Sequence, residues 1–184
     1  KKDLARRLQD TIYTMLYMHG LCHGDPHPGN LQFTEDGKLI LLDFGITVAL
    51  TEQEKWGLSS FYYACTRKEW HLAASRFTEH FVANTEQLHE AWDVYSREIE
   101  DVLKYHFDVS DCQWSTISYF KDVSAVLRKY NAKYTSNFTK VELVFLSCEG
   151  FATMIDPDIN IWQNARIFTD RYSPYMSDEV KQRF

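Results

Sequence analysis

Three polar residues near the start of the chain have the types and the spacing of a phosphoryl-transfer site. Asp25 and Asn30 lie in the octapeptide His-Gly-Asp-Pro-His-Pro-Gly-Asn at residues 23–30, and Asp43 opens an Asp-Phe-Gly triplet. Phosphoryl transfer needs a carboxylate that holds the incoming hydroxyl or water, and hard oxygen ligands for Mg²⁺. Asp25 fits the first role, and Asn30 and Asp43 fit the second. The alternative is a Pro-rich turn with capping polar residues, but both motifs occur in order and at a workable spacing.

The segments around these residues predict how they are positioned. Apolar residues recur at helical spacing from Leu4 to Leu16, and Gly20 is typical of a helix end. Two prolines and two glycines then exclude a helix or a central strand for the octapeptide.

A predicted β-hairpin explains why the two metal-type residues are far apart in sequence. Residues 31–33 alternate as a short strand, residues 35–38 form an Asp-Gly turn, and residues 39–42 are a continuous apolar run, typical of a buried strand. Because Asn30 precedes the first strand and Asp43 follows the second, we expect both side chains to face one shared cleft.

The remainder of the chain is predicted to be helical. Thr51 and Glu54 form a capping box that opens the first of these helices. Further helices are predicted at residues 68–80, from about residue 84 to residue 103, at 115–130, at 138–154 and at 161–170.

The two motifs resemble those of the UbiB-type atypical kinases, a protein-kinase-like family tied to coenzyme Q and other prenyl-lipid metabolism. Residues 149–160, which include Glu-Gly-Phe-Ala and Ile-Asp-Pro-Asp-Ile-Asn, are similar to a late segment of that family. Gly24 and His27 stand where typical protein kinases carry Arg and Lys. The same departures from typical protein kinases occur in small-molecule kinases of the aminoglycoside and choline kinase type. Pro26 and the intact Asp-Phe-Gly triplet favour the UbiB type.

The resemblance implies an α+β, predominantly α-helical fold: a protein-kinase-like C-terminal lobe with a short β-hairpin that carries the metal site. We expect residues 1–50 to hold the catalytic loop and metal hairpin and residues 51–184 to form a helical subdomain. No nucleotide-covering loop and no phosphate-binding Lys can be placed before residue 23. We therefore interpret the chain as this lobe without its N-terminal lobe, and expect it to be inactive and to bind ATP weakly on its own.

The resemblance also implies ATP and Mg²⁺ as cofactors. Asp25 would be catalytic, Asn30 and Asp43 would hold the metal, and both would contribute with His27 to nucleotide binding. For His27 a loop-packing role is the alternative to contact with phosphate. The implied partners are the N-terminal lobe, prenyl lipids or lipid-biosynthesis proteins, and a membrane surface contacted peripherally. The implied location is a mitochondrion or plastid in a eukaryote, and cytoplasmic or membrane-associated in a bacterium.

The composition of the chain indicates which kinds of binding site it favours. A net charge of −6 and a pI near 5.6 give no support for nucleic-acid binding through phosphate neutralisation. The four cysteines, at positions 22, 65, 112 and 148, form no Cys-x-x-Cys pair, which excludes a zinc knuckle. Cys22 is interpreted as a small buried residue and not as a nucleophile. The aromatic content of 15% predicts a core packed with rings, with a prenyl-lipid groove as the alternative.

Two classes of function follow. The first is an ATP-dependent enzyme, either an ATPase or a kinase, that supports ubiquinone or other prenyl-lipid metabolism. The second is a nucleotide-responsive scaffold, or pseudokinase, that binds lipid or protein. Because Asp25, Asn30 and Asp43 are all intact, the sequence favours the enzyme.

Overall fold

The computed structural model describes residues 1–108 and 114–172, and these are mostly helical. The α-helices in this part of the chain are α1 (Lys2–Tyr13), α2 (Glu52–Thr66), α3 (Trp70–Phe81), α4 (Trp92–Phe107), α5 (Thr116–Lys129), α6 (Ser136–Ile155) and α7 (Ile161–Tyr172). The same residues contain the short strands β1 (Leu21–His23), β2 (Leu31–Phe33), β3 (Leu39–Leu41), β4 (Thr47–Ala49), β5 (Val82–Ala83) and β6 (Lys133–Tyr134). The predicted class, α+β with mainly helices, is confirmed at this level.

The first helix leads directly into the octapeptide. Leu8, Ile12 and Leu16 are completely buried on one face, as their spacing predicts. After α1 the backbone widens into a π-helix, Thr14–His19, a rare conformation that often occurs near functional sites. Gly20 ends it with φ +67°, a left-handed conformation that glycine adopts without steric cost.

The strands form three antiparallel pairs, β1–β4, β2–β3 and β5–β6. The β2–β3 hairpin is the predicted one, with Leu31 opposite Leu41 and Gly37 in its turn at φ +79°. The other two pairs were not predicted, because strands of two or three residues give too short a pattern to detect.

The apolar run at residues 39–42 was predicted to be a buried strand, and that prediction is wrong. Leu39 and Leu41 pack against the core, but Ile40 is 40% and Leu42 is 37% exposed. The strand alternates between two faces, and none of the described residues covers its outer face enough to bury it.

The predicted helices are found with small shifts in their ends. The capping box at Thr51 is present: its hydroxyl accepts the N–H of Glu54, and the Glu54 carboxylate accepts the N–H of Thr51. The helix expected from about residue 84 differs most. Asn84 has φ +61°, a 3₁₀-helix follows over Thr85–Ala91, and the α-helix begins only at Trp92.

The core is built from the helices and is rich in aromatic rings. Phe81 stacks on Phe138 with ring centroids 4.0 Å apart, and Phe61 meets both Phe77 and Phe81 at edge or tilted angles. These contacts support the prediction of a ring-packed core. Among the residues that the structure describes, no helix has the length and apolar character needed to cross a membrane.

Candidate active site

The catalytic loop is tied at its start to the segment that follows the Asp-Phe-Gly triplet. Strand β1 pairs with β4, and one residue further on the N–H of Gly24 donates to the carbonyl of Ile46 at 2.9 Å. A Cβ at position 24 would lie 2.6 Å from Cγ2 of Ile46, so glycine permits this approach. The β1–β4 pair therefore holds the loop beside the segment that contains the Asp-Phe-Gly triplet.

His23 joins the same two segments through its side chain. Its ring is fully buried; Nδ1 accepts the N–H of Asp25 at 3.1 Å, and Nε2 lies 2.8 Å from the carbonyl oxygen of Leu42. A carbonyl only accepts and a backbone N–H only donates, so the ring is neutral with its proton on Nε2. The ring also contacts Phe44, with centroids 5.0 Å apart. The ring therefore fixes the backbone of Asp25 relative to that of Leu42.

His27 lies further along the loop with a half-exposed ring. Nδ1 accepts the N–H of Gly29 at 2.9 Å, and Nε2 lies 3.6 Å from Oδ2 of Asp25. His27 is also the N-cap of a 3₁₀-helix, Pro28–Asn30. That short helix ends on the predicted metal residue Asn30.

Asn30 is held next to the segment that carries Asp43. Its carbonyl accepts the N–H of Leu42 at 2.8 Å, which extends the β2–β3 pairing by one step. Its side-chain Nδ2 donates to the backbone carbonyl of Asp25 at 3.2 Å. The amide therefore presents its oxygen, the atom that a hard cation prefers, away from that carbonyl.

Asp43 has an unusual backbone conformation. Its φ is +49°, a left-handed value that Asp and Asn tolerate better than most residues. Oδ1 accepts the N–H of Gly45 at 3.1 Å, and Oδ2 makes no hydrogen bond to the described residues. The carboxylate is exposed, so it is accessible to a ligand.

Exposed apolar residues lie on both sides of Asp43 in the chain. Phe44 is 54% and Ile46 is 58% exposed, and the outward side chains of Ile40 and Leu42 belong to the same segment of chain. Such a group of exposed apolar residues next to a polar site is typical of a surface that contacts a ligand or another protein.

The structure brings the backbones of the three predicted polar residues together, through the Asn30–Leu42 pairing and the His23 ring. It groups no three His, Cys, Asp or Glu side chains into a metal site among the described residues. The predicted metal site on the hairpin, and the shared cleft for the Asn30 and Asp43 side chains, therefore stay predictions.

Cys22 is excluded as a nucleophile in this fold. Its side chain is buried next to the loop, and burial raises the pKa of the thiol to about 12. The thiolate, which is the reactive form, is therefore absent at neutral pH. Cys65 and Cys148 are also free and buried, and Cys112 lies outside the described residues.

The late segment at residues 149–160 has packing contacts in this structure. Oε2 of Glu149 accepts the N–H of Thr116 at 2.8 Å, which satisfies a donor at the start of α5. The buried Asp156 accepts the N–H of Asp158 at 3.4 Å just after α6.

Sequence reasoning missed one buried carboxyl on the same helix. Glu142 is buried, accepts the Tyr62 hydroxyl at 3.4 Å through Oε1, and has no hydrogen-bond partner for Oε2 among the residues that the structure describes. Burial raises the pKa of Glu142 to about 8, so this carboxyl is mainly protonated at neutral pH. In the sequence the only signal is one charge inside an apolar run, which gives no indication of burial.

Comparison with known proteins agrees with the motif at the start of the chain. No solved structure matches this chain. Residues 1–76 match the family described as the ABC1 atypical kinase-like domain, a range that contains Asp25, Asn30 and Asp43 and ends before Glu149. This match agrees with the UbiB-type resemblance of the two motifs.

Proposed function

We propose that this site carries out Mg²⁺- and ATP-dependent phosphoryl transfer, either to a small acceptor or to water, in support of ubiquinone or other prenyl-lipid metabolism. The observation that carries the proposal is the link between the two motifs. The Asn30 carbonyl accepts the Leu42 N–H at 2.8 Å, so a potential metal ligand lies just before one strand and directly beside the residue before Asp43.

Asp25 has the role of positioning the attacking hydroxyl or water and accepting its proton. Its backbone is fixed on both sides: the N–H donates to His23, and the carbonyl accepts from the side chain of Asn30. Its side chain is 42% exposed, so an acceptor molecule has access to it. Proton transfer by a positioned carboxylate of this kind contributes about 10²- to 10⁴-fold to rate.

Asn30 and Asp43 have the role of holding Mg²⁺. One supplies an amide oxygen and the other a carboxylate, both hard ligands that suit this cation. The exposed carboxylate of Asp43, with Oδ2 lacking a hydrogen bond among the described residues, fits that use. When bound, Mg²⁺ neutralises charge on the transferred phosphoryl group.

For His27 the candidate roles are contact with the nucleotide and packing of the loop. Its ring is 48% exposed and lies within the same loop as Asp25 and Asn30, so it is accessible to a phosphate. The apolar group at Ile40, Leu42, Phe44 and Ile46 is the surface on which we place the lobe that covers the nucleotide.

The alternatives are a pseudokinase scaffold that binds lipid or protein, and a small-molecule kinase of the aminoglycoside or choline kinase type. The intact set of polar residues favours catalysis over a scaffold.

The experiment that tests the metal assignment is a binding measurement on the full-length protein. Asp43→Asn keeps a residue type that tolerates the left-handed backbone and removes the negative charge. We expect this variant to lose Mg²⁺-dependent ATP binding, while Asp101→Asn, at an exposed position on α4, leaves binding unchanged. An unchanged Mg²⁺-ATP affinity in Asp43→Asn would rule out the assignment.

A further inference from the structure

The two ring nitrogens of His27 have different partners. The N–H of Gly29 donates to Nδ1 at 2.9 Å, and Nε2 lies 3.6 Å from Oδ2 of Asp25. A backbone N–H cannot accept a hydrogen bond, so Nδ1 carries no proton while this bond exists. The proton of the neutral ring therefore sits on Nε2, the nitrogen that faces the Asp25 carboxylate.

The local backbone holds this ring in place. His27 is the N-cap of the Pro28–Asn30 turn, so its Nδ1 satisfies a donor that the turn leaves open. The ring lies against Gly29, where an added Cβ would come within 2.6 Å of Cε1. Glycine at this position therefore lets the ring lie close to the turn, with Nε2 3.6 Å from Oδ2 of Asp25.

The contact with Asp25 is too exposed to contribute much to folding. The side chains of His27 and Asp25 are 48% and 42% exposed, and ion pairs or hydrogen bonds in such surroundings add little stability. At 3.6 Å the contact is longer than a hydrogen bond, but the positive end of the Nε2–H dipole still favours the rotation of the carboxylate that brings Oδ2 toward it. In a catalytic base that orientation decides whether the other oxygen reaches the attacking group.

We propose that His27 is the positioning residue for Asp25: Nδ1 holds the turn that ends on Asn30, and the Nε2–H group orients the carboxylate through Oδ2. This rests on the proposed function, because it assigns a task within the same site. It differs from contact with phosphate, since His27 then affects turnover through Asp25 and leaves nucleotide affinity almost unaltered.

Two near-isosteric substitutions separate the two nitrogens. His27→Asn keeps an acceptor close to the position of Nδ1, in a residue favoured as N-cap, and removes the group that faces Asp25. His27→Gln keeps an N–H donor close to the position of Nε2 and removes the acceptor for Gly29. Each variant of the full-length protein is assayed for ATP turnover, for Mg²⁺-ATP affinity and for exchange of the Gly29 amide proton with solvent.

We expect His27→Asn to lower turnover about 10- to 100-fold at unchanged Mg²⁺-ATP affinity, with the Gly29 amide still protected. We expect His27→Gln to restore part of the turnover, with faster exchange at Gly29. Wild-type turnover in His27→Asn, or turnover in His27→Gln as low as in His27→Asn, would overturn the proposal. A loss of Mg²⁺-ATP affinity in His27→Asn would also overturn it and would assign His27 to phosphate.

A second readout does not depend on catalysis, so failure of this inference and failure of the proposed function can be told apart. Nitrogen-15 NMR of the His27 ring in the wild-type protein should show the tautomer protonated at Nε2. In Asp25→Ala the Nε2 chemical shift should change, because the carboxylate beside this nitrogen is gone. A ring protonated at Nδ1, or an Nε2–H signal unaffected by Asp25→Ala, would contradict the positioning role even in a protein with no turnover.

Discussion

The buried ring of His23 donates its Nε2–H to the carbonyl oxygen of Leu42 at 2.8 Å, while its Nδ1 accepts the N–H of Asp25 at 3.1 Å. This one side chain therefore satisfies the backbone N–H of Asp25 and the backbone carbonyl of Leu42. The ring therefore links the backbone of Asp25 directly to that of Leu42, the residue before Asp43.

Removing the His23 ring should therefore destabilise the protein. His23→Ala leaves the Leu42 carbonyl and the Asp25 N–H without their partner and opens a cavity in a buried position. We expect a loss of about 2 to 4 kcal/mol in the free energy of unfolding, measured by urea denaturation. His19→Ala, at an exposed position of the π-helix, serves as the control and should change stability by less than about 0.5 kcal/mol. Equal stability in the two variants would show that the ring is not a structural link.

Alanine should stabilise the protein at one glycine, Gly150, and reduce turnover at another, Gly29. A Cβ at Gly29 would lie 2.6 Å from the His27 ring, whereas a Cβ at Gly150, within α6, meets nothing within 4 Å. We expect Gly150→Ala to stabilise the protein by about 0.5 to 1 kcal/mol, because alanine favours the helix. We expect Gly29→Ala to displace the His27 ring and to reduce turnover, and thermal unfolding with a parallel ATPase assay measures both effects. Turnover in Gly29→Ala equal to that of wild type would contradict the expected effect of the His27 ring position on turnover.

Stability should fall with rising pH because of Glu142. Burial raises the pKa of this carboxyl from 4.5 to about 8 in the folded chain. Below pH 4.5 the group is protonated in both states and the folded state carries no penalty. Between pH 4.5 and about 8 the unfolded chain releases the proton first, so the free energy of unfolding should fall by up to about 1.4 kcal/mol per pH unit.

Replacing Glu142 should remove this pH dependence. In Glu142→Gln the side chain is neutral at every pH, so its stability relative to wild type should increase from pH 5.5 to pH 7.5. Urea denaturation at several pH values measures the difference, with Glu90→Gln at an exposed position as control. Parallel stability curves for wild type and Glu142→Gln would contradict a buried protonated carboxyl.

Local patterns in the sequence were sufficient to predict much of the fold. The Thr51–Glu54 capping box and the Asp-Gly hairpin depend on neighbouring residues only, and both are present. The β1–β4 pair and the exposure of Ile40 depend on which segments meet in space, and no local pattern contains that information. The residue types of Asp25, Asn30 and Asp43 predicted a site, but no local pattern indicated that the His27 ring lies 3.6 Å from Asp25.

The central claim is tested most directly by ATP turnover and Mg²⁺-ATP affinity of Asp25→Asn in the full-length protein, measured side by side with wild type and with any lipid activator present. Because Asp25 has the role of the base and not of the main metal ligand, we expect turnover to fall about 10²- to 10⁴-fold while Mg²⁺-ATP affinity stays close to that of wild type. Turnover in Asp25→Asn equal to that of wild type would contradict the assignment of Asp25 and favour a nucleotide-responsive scaffold.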